Sequence, residues 1–159
     1  MTDPAKHSVS VAGVILNGEG QVLLTRRRDN GHWEPPGGVL EIGETIIDGL
    51  YREIREETGL VVEIASLTGA YKNMKIGVVA LVFKCYPVGG KLQGNAEVSE
   101  FRWAPPDAAL RLLLPTFRIR VLDALTDSPT AVRAHNGEFL LPPSTEFSSD
   151  PPHGRSLSI

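Results

Sequence analysis

The stretch Gly38-Val39-Leu40-Glu41-Ile42-Gly43-Glu44, followed by Arg52-Glu53-Ile54-Arg55-Glu56-Glu57-Thr58-Gly59-Leu60, decides how this chain is read. Thr45 to Thr58 has the pattern of one helix. At about 100° per residue, Ile46, Ile47, Leu50 and Ile54 fill a narrow apolar arc. Glu53 and Glu56 fall on the flank of that arc, and Glu57 falls near its centre, where a leucine would be expected. A carboxylate turned toward a core is costly unless it is paired or binds a metal. Three glutamates at i, i+3 and i+4 also repel one another, so Arg52 or a divalent cation must neutralise them. Gly49, on the same flank, gives up about 1 kcal/mol of helix propensity relative to alanine, which implies that a metal, a ligand or a strand approaches closely there.

Glu44 would face away from the cluster if it were helical, so it belongs at the helix entrance, folded back toward the glutamates. Gly37-Gly38 supplies bare backbone that can approach a phosphate or offer a carbonyl to a metal. Gly59 ends the helix in a left-handed cap and releases the chain into a strand over Leu60–Leu67. Oxygen-only ligands suit Mg²⁺, with Mn²⁺ as substitute, rather than zinc. Mg²⁺ completes its shell with water and substrate phosphates, which points to a phosphorylated substrate.

Position for position, these residues fit G-x5-E-x7-R-E-U-x-E-E-x-G-U, with U a bulky aliphatic. The chain therefore resembles the Nudix hydrolases. At background residue frequencies the fixed residues arise by chance on the order of 10⁻⁸ times per start position, so the match is specific. The resemblance covers about Ser8 to Leu125 and implies an α/β fold, the Nudix-type α/β/α sandwich with a mixed β-sheet. It implies pyrophosphate hydrolysis with Gly38, Glu53, Glu56 and Glu57 as metal ligands. Glu53 is the first candidate for the base, with Glu57 and Glu100 behind it, and Arg52 orients the carboxylates. Gly37 and Glu44 are expected beside the substrate.

The run-in Val22-Leu23-Leu24-Thr25-Arg26-Arg27-Arg28 to Trp33-Glu34-Pro35-Pro36-Gly37-Gly38 is similar to the family's, where an arginine often meets substrate phosphate. Arg27 or Arg28 is the candidate, and strand alternation sets Arg26 and Arg28 on one face and Arg27 on the other. Glu34 stands where many relatives carry an apolar residue. Glu97-Val98-Ser99-Glu100 resembles a later segment that supplies one more carboxylate, with Glu100 slightly preferred over Glu97. Tyr71, Phe83, Tyr86 and Trp103 could stack a base, although strand aromatics are more often core. Among the histidines, His32 is the one to watch.

The length of 159 residues fits one domain with a core of ordinary size. With 16 basic against 19 acidic residues, no nucleic-acid-binding surface is indicated. The apolar run Ile76 to Phe83 is too short to cross a bilayer, and the first residues lack an apolar signal segment, so a soluble cytoplasmic protein is expected. Cys85 alone cannot form an intrachain disulfide, and buried packing suits it better than catalysis.

Ser8–Leu16 and Gln21–Arg27 read as strands joined across Asn17-Gly18-Glu19-Gly20, Val61–Tyr71 and Ile76–Tyr86 as a strand pair, and Glu97–Trp103 as a further strand. Pro105-Pro106 opens a short helix through Leu112. Pro115 opens another, with Phe117, Val121 and Leu125 on one face. The organisation expected is a Nudix domain over 1–126, a hairpin appendage over 127–143 and a disordered tail over 144–159. Asn136-Gly137 predicts a type I′ turn in that hairpin, which could pad the domain, cover a sheet edge or reach a partner copy in a homodimer.

The substrate expected is a small nucleotide. Lys75 stands where some subfamilies carry proline, and Leu23-Leu24-Thr25 matches only the start of a coenzyme A pattern. By elimination a nucleoside triphosphate, oxidised or noncanonical forms included, leads, yielding a nucleoside monophosphate and pyrophosphate. A nucleotide-sugar or ADP-ribose-like diphosphate follows. A nucleotide sensor without turnover often loses a motif glutamate, and none is missing here.

Overall fold

Strand β1 (Ser8–Ile15) is buried on both faces, and its alternation divides the protein into two cores. Val11 and Ile15 point into one and Ala12 and Val14 into the other. The computed structural model describes residues 4–142, so the tail expected over 144–159 lies outside the described residues.

After β1 come β2 (Val22–Arg27), β3 (Trp33–Glu34), β4 (Gly37–Val39) and helix α1 (Ile46–Thr58). They are followed by β5 (Leu60–Asn73), β6 (Val78–Gly90), β7 (Val98–Ala104), α2 (Pro106–Leu112), α3 (Pro115–Leu125), β8 (Ala131–His135) and β9 (Leu140–Leu141). One sheet has the order β4-β1-β6-β5-β8-β9 and a second the order β3-β2-β7. The first sheet is mixed, with β1–β6 and β5–β8 parallel and the other pairs antiparallel.

Helix α1 packs Leu50 and Ile54 against Val11, Ile15, Phe83 and Cys85, while residues of α2 and α3 join Ala12, Val14, Tyr71 and Val82 on the other face. This is the α/β/α layering expected. Thr45 caps α1, its hydroxyl accepting from the Asp48 N–H at 3.1 Å, and Gly59 ends it at φ +79°. The Gly59 cap follows the sequence reading, whereas Thr45, read there as helical, stands just outside the helix as its N-cap. Ile46 and Ile47 are corrections, since both are over 40% exposed and the buried face of the helix begins at Gly49.

β1 and β2 are joined across the Asn17–Gly20 turn as read, but they enter different sheets and only Leu16 and Val22 bridge them. Of the roles left open for the C-terminal hairpin, it covers a sheet edge, for β8 lies parallel to β5. Its loop runs over four residues, Asn136 to Phe139, because His135 pairs with Leu140. A type I′ turn needs positive φ at both central residues, and among the described residues none other than glycine has one. Asn136 instead turns its side chain back to accept from the N–H groups of Glu138 and Phe139.

Candidate active site

The C-terminal half of α1, strand β4, the end of β2 and the loop before β7 enclose a cleft of about 840 Å³. Glu53, Glu56, Glu57, Gly37, Gly38, Arg27, Arg28 and Glu97 line it. Residues separated by as many as 70 positions in sequence are thus gathered around one end of the helix.

Glu57 is only 6% exposed, and its Oε2 accepts from the Gly37 N–H at 3.0 Å. Burial pushes its pKa up to about 8 even though that bond favours the charged form, and the nearby carboxylates of Glu34, Glu53 and Glu97 push the same way. Burial also raises Glu53, with Arg52 opposing the shift. Arg52 donates from Nη1 to Glu53 at 2.9 Å and to Glu56 at 3.2 Å. Its other edge grips Glu44, Nε to Oε2 at 2.9 Å and Nη2 to Oε1 at 2.6 Å. Glu44 also accepts from the Glu41 N–H, so it braces Arg52 at the helix entrance and does not line the cleft.

Two glycines make room for side chains packed at the site. A side chain at Gly38 would collide with the Glu53 carboxylate, and one at Gly49 would strike Leu40 and Glu44. The close approach at Gly49 therefore comes from the entry loop of α1.

β2 ends at Arg27, where its pairing with β7 skips Ser99 in a β-bulge, and Arg27 and the following Arg28 both line the cleft. Arg27 is committed to Asp29, at 2.6 Å from Nη2, and to Glu34, at 3.3 Å from Nη1. Arg28 donates only to the Ala96 and Val98 carbonyls, so among the described residues its charge has no carboxylate partner. Glu100 points elsewhere, pairing with Arg26 at 3.6 Å and Arg102 at 3.2 Å. Glu97 takes the place in the cleft.

Sequence reasoning missed Asn95. Its Nδ2 donates to the Glu57 carbonyl at 2.6 Å and its Oδ1 accepts from the N–H groups of Glu97 and Val98, which ties the Glu97 loop to the end of α1. An Asn two residues before a strand was the available signal. Tyr71, Phe83 and Trp103 belong to the cores, and none of the four aromatics considered lines the cleft. Exposed His32 also lies outside it. Cys85 is buried, its thiol pushed up to about 12.

The donor chemistry fits a hard divalent cation, because every acidic group here offers oxygen and the buried Glu57 needs positive charge to ionise at neutral pH. Among the described residues no three acidic, histidine or cysteine side chains already stand as a ligand set. Arg52 and the Gly37 N–H hold the carboxylates instead, so ligation would take them from these partners.

A family model described as the NUDIX domain matches residues 6–125. Over 141 residues the chain is 48% identical to a MutT-like protein of Streptomyces ambofaciens, spanning 89% of this chain and 92% of that protein. Over 100 residues it is 35% identical to an ADP-ribose pyrophosphatase of Methanocaldococcus jannaschii, spanning 58% of this chain and 59% of the relative. A NUDIX hydrolase structure from Nitrosomonas europaea shares the fold with a TM-score of 0.71 at 21% identity, covering 84% of this chain and 82% of that one.

Proposed function

Because this chain belongs to the NUDIX family, and is by that membership a pyrophosphohydrolase, we propose that it cleaves nucleoside triphosphates with water to a nucleoside monophosphate and pyrophosphate. The observation that carries this reading is the cleft in which Glu53, Glu56, Glu57 and Glu97 meet Gly37-Gly38 and Arg28, whose charge has no carboxylate partner among the described residues. Mg²⁺ or Mn²⁺, held by the Gly38 carbonyl, Glu53, Glu56 and Glu57, would neutralise phosphate oxygens and lower the pKa of a bound water.

Within the chain itself, Arg28 meets a phosphate, while Arg27 is kept by Asp29 and Glu34 as part of the wall. Glu53 accepts the proton of the attacking water. Glu57 and Glu97 are the next candidates for that role, Glu97 standing where Glu100 was expected. Arg52 sets the orientation of Glu53 and Glu56 without touching substrate.

Cleavage of an ADP-ribose-like diphosphate is the second reading, favoured by the name of the Methanocaldococcus relative. Chromatographic product analysis with Mg²⁺ separates the two across nucleoside triphosphates, oxidised ones included, nucleotide sugars and ADP-ribose. Monophosphate plus pyrophosphate from a triphosphate is the expected result. Cleavage of ADP-ribose alone would install the second reading, and silence across the panel with nucleotide binding retained would make the protein a sensor.

A further inference from the structure

Four glutamates line the cleft, and they do not share one support. Glu53, Glu56 and Glu57 stand on α1, so spacing along one helix fixes them relative to one another. Glu97 comes from the loop before β7. On top of burial, its charge raises the pKa of both Glu53 and Glu57, so the loop carboxylate belongs to the same electrostatic group. Whatever holds that loop against the helix therefore decides where the fourth carboxylate stands.

Asn95 does so with both ends of its amide. Its Oδ1 accepts from the N–H groups of Glu97 and Val98, at 2.9 and 3.0 Å, which folds the chain into a local turn. Such a turn needs only the oxygen. Nδ2 reaches outside it and donates to the Glu57 carbonyl at 2.6 Å, across 38 positions of sequence. The last carbonyls of a helix have no partner within it, and this one belongs to the residue whose carboxylate is buried at the cleft. Among the described residues it is the one side-chain hydrogen bond between this loop and α1, with a backbone tie beside it from the Gln93 N–H to the Thr58 carbonyl at 3.0 Å. On its other side the loop is held to β2. There the Arg28 N–H donates to the Glu97 carbonyl at 2.9 Å, and the Arg28 guanidinium to the carbonyls of Ala96 and Val98 at 3.2 and 3.1 Å.

Resting on the hydrolytic reading, in which the cleft glutamates serve the reaction, we propose that Asn95 is a positioning residue that acts through Glu97, setting where the loop carboxylate stands relative to those of α1. Its oxygen is taken twice and its nitrogen once inside the protein, so its amide is spent on the loop and the helix. A misplacement of about 1 Å can cost on the order of a hundredfold in rate, so a loosened loop is felt in kcat more than in KM.

The test is a double-mutant cycle with Asn95→Ser and Glu97→Gln, read as kcat and KM on the substrate that the wild type hydrolyses best. Serine keeps a short oxygen for the turn, cannot reach the Glu57 carbonyl and adds no charge. Asn95→Ser should lower kcat by about tenfold with KM nearly unchanged, and should melt close to the wild type because Arg28 still holds the loop to β2. Glu97→Gln should cost at least as much. In the Glu97→Gln background, Asn95→Ser should cost less than about twofold, since the group it positions is already disabled. Asn95→Asp, the second variant, keeps the acceptor for the turn and loses the donor to Glu57, so its kcat should fall with that of Asn95→Ser. Full kcat in Asn95→Asp would reduce the residue to its local turn and overturn the inference. So would an equal loss from Asn95→Ser with and without the Glu97 carboxylate, or a loss that Glu97→Gln does not match. Failure of the hydrolytic reading looks different: the wild type would be silent on every substrate, and the reaction and this role would fall together. Turnover of ADP-ribose alone would change the substrate, and the cycle is read on it in the same way.

Discussion

Arg52 and Glu44 form a two-pronged ion pair, Nε to Oε2 at 2.9 Å and Nη2 to Oε1 at 2.6 Å, while Nη1 of the same arginine holds Glu53 and Glu56. Arg52 holds the Glu44 carboxyl well below its ordinary range, at about 2. A depressed carboxylate stabilises the fold above its unfolded pKa, and that contribution disappears as pH falls through about 2. Glu44→Gln should leave Arg52 free to swing, which disturbs Glu53 and Glu56 without touching substrate. We expect kcat to fall by about tenfold, or ~1.4 kcal/mol, with KM nearly unchanged. Arg52→Lys should give no better activity, because an ammonium cannot span both oxygens. Steady-state kinetics on both variants checks this, and a change confined to KM would show that Glu44 meets substrate after all.

Glu57 sets a different pH dependence. Its folded pKa, raised to about 8, lies above that of the unfolded chain, so the stability it contributes is full below the unfolded value and is lost as pH rises through about 8. Without divalent metal, Glu57→Gln should therefore melt above the wild type near pH 9 and close to it near pH 4. Mg²⁺ should raise the wild-type melting temperature more than that of the variant. Thermal unfolding across this pH range, with and without Mg²⁺, decides the matter.

Gly49→Ala sets helix propensity against space. Alanine gains about 1 kcal/mol of propensity, but its methyl would run into Leu40 and lie 2.9 Å from the Glu44 Oε1. Overpacking of this kind costs about 1–3 kcal/mol, so net destabilisation and a weakened Glu44–Arg52 pair are expected. Chemical denaturation gives the sign directly.

Asp123 ties the C-terminal hairpin to the domain. It accepts from the Tyr71 hydroxyl at 2.7 Å and from Arg133 of β8 through two bonds of 2.8 Å. Asp123→Ala strands the buried Tyr71 hydroxyl, at a cost of about 1–3 kcal/mol. One cooperative unfolding transition at lower temperature is expected. A separate early transition would mean that the hairpin is an independent unit.

The helix from Thr45 to Gly59 and the inward turn of Glu57 were legible in the sequence because spacing along one helix fixes which side chains share a face. Its Gly59 cap was legible for the same local reason. Long-range relationships were not. That Arg27 and Arg28 line one cleft depends on where β2 ends and on the β-bulge at Ser99 in its partner β7, which no local pattern encodes. The exchange of Glu100 for Glu97 depends on Asn95 holding a loop to the end of α1. The Asn136-Gly137 pair marked a turn correctly but not its length, because Asn136 found side-chain hydrogen bonds that a four-residue loop allows.

That the carboxylates at the end of α1 drive the hydrolysis is tested most directly by turnover of the best triphosphate at saturating Mg²⁺ by the wild type, Glu53→Gln and Glu57→Gln, each shown by its melting curve to be folded. Both variants should lose several powers of ten in kcat. Near-normal turnover in both would contradict it.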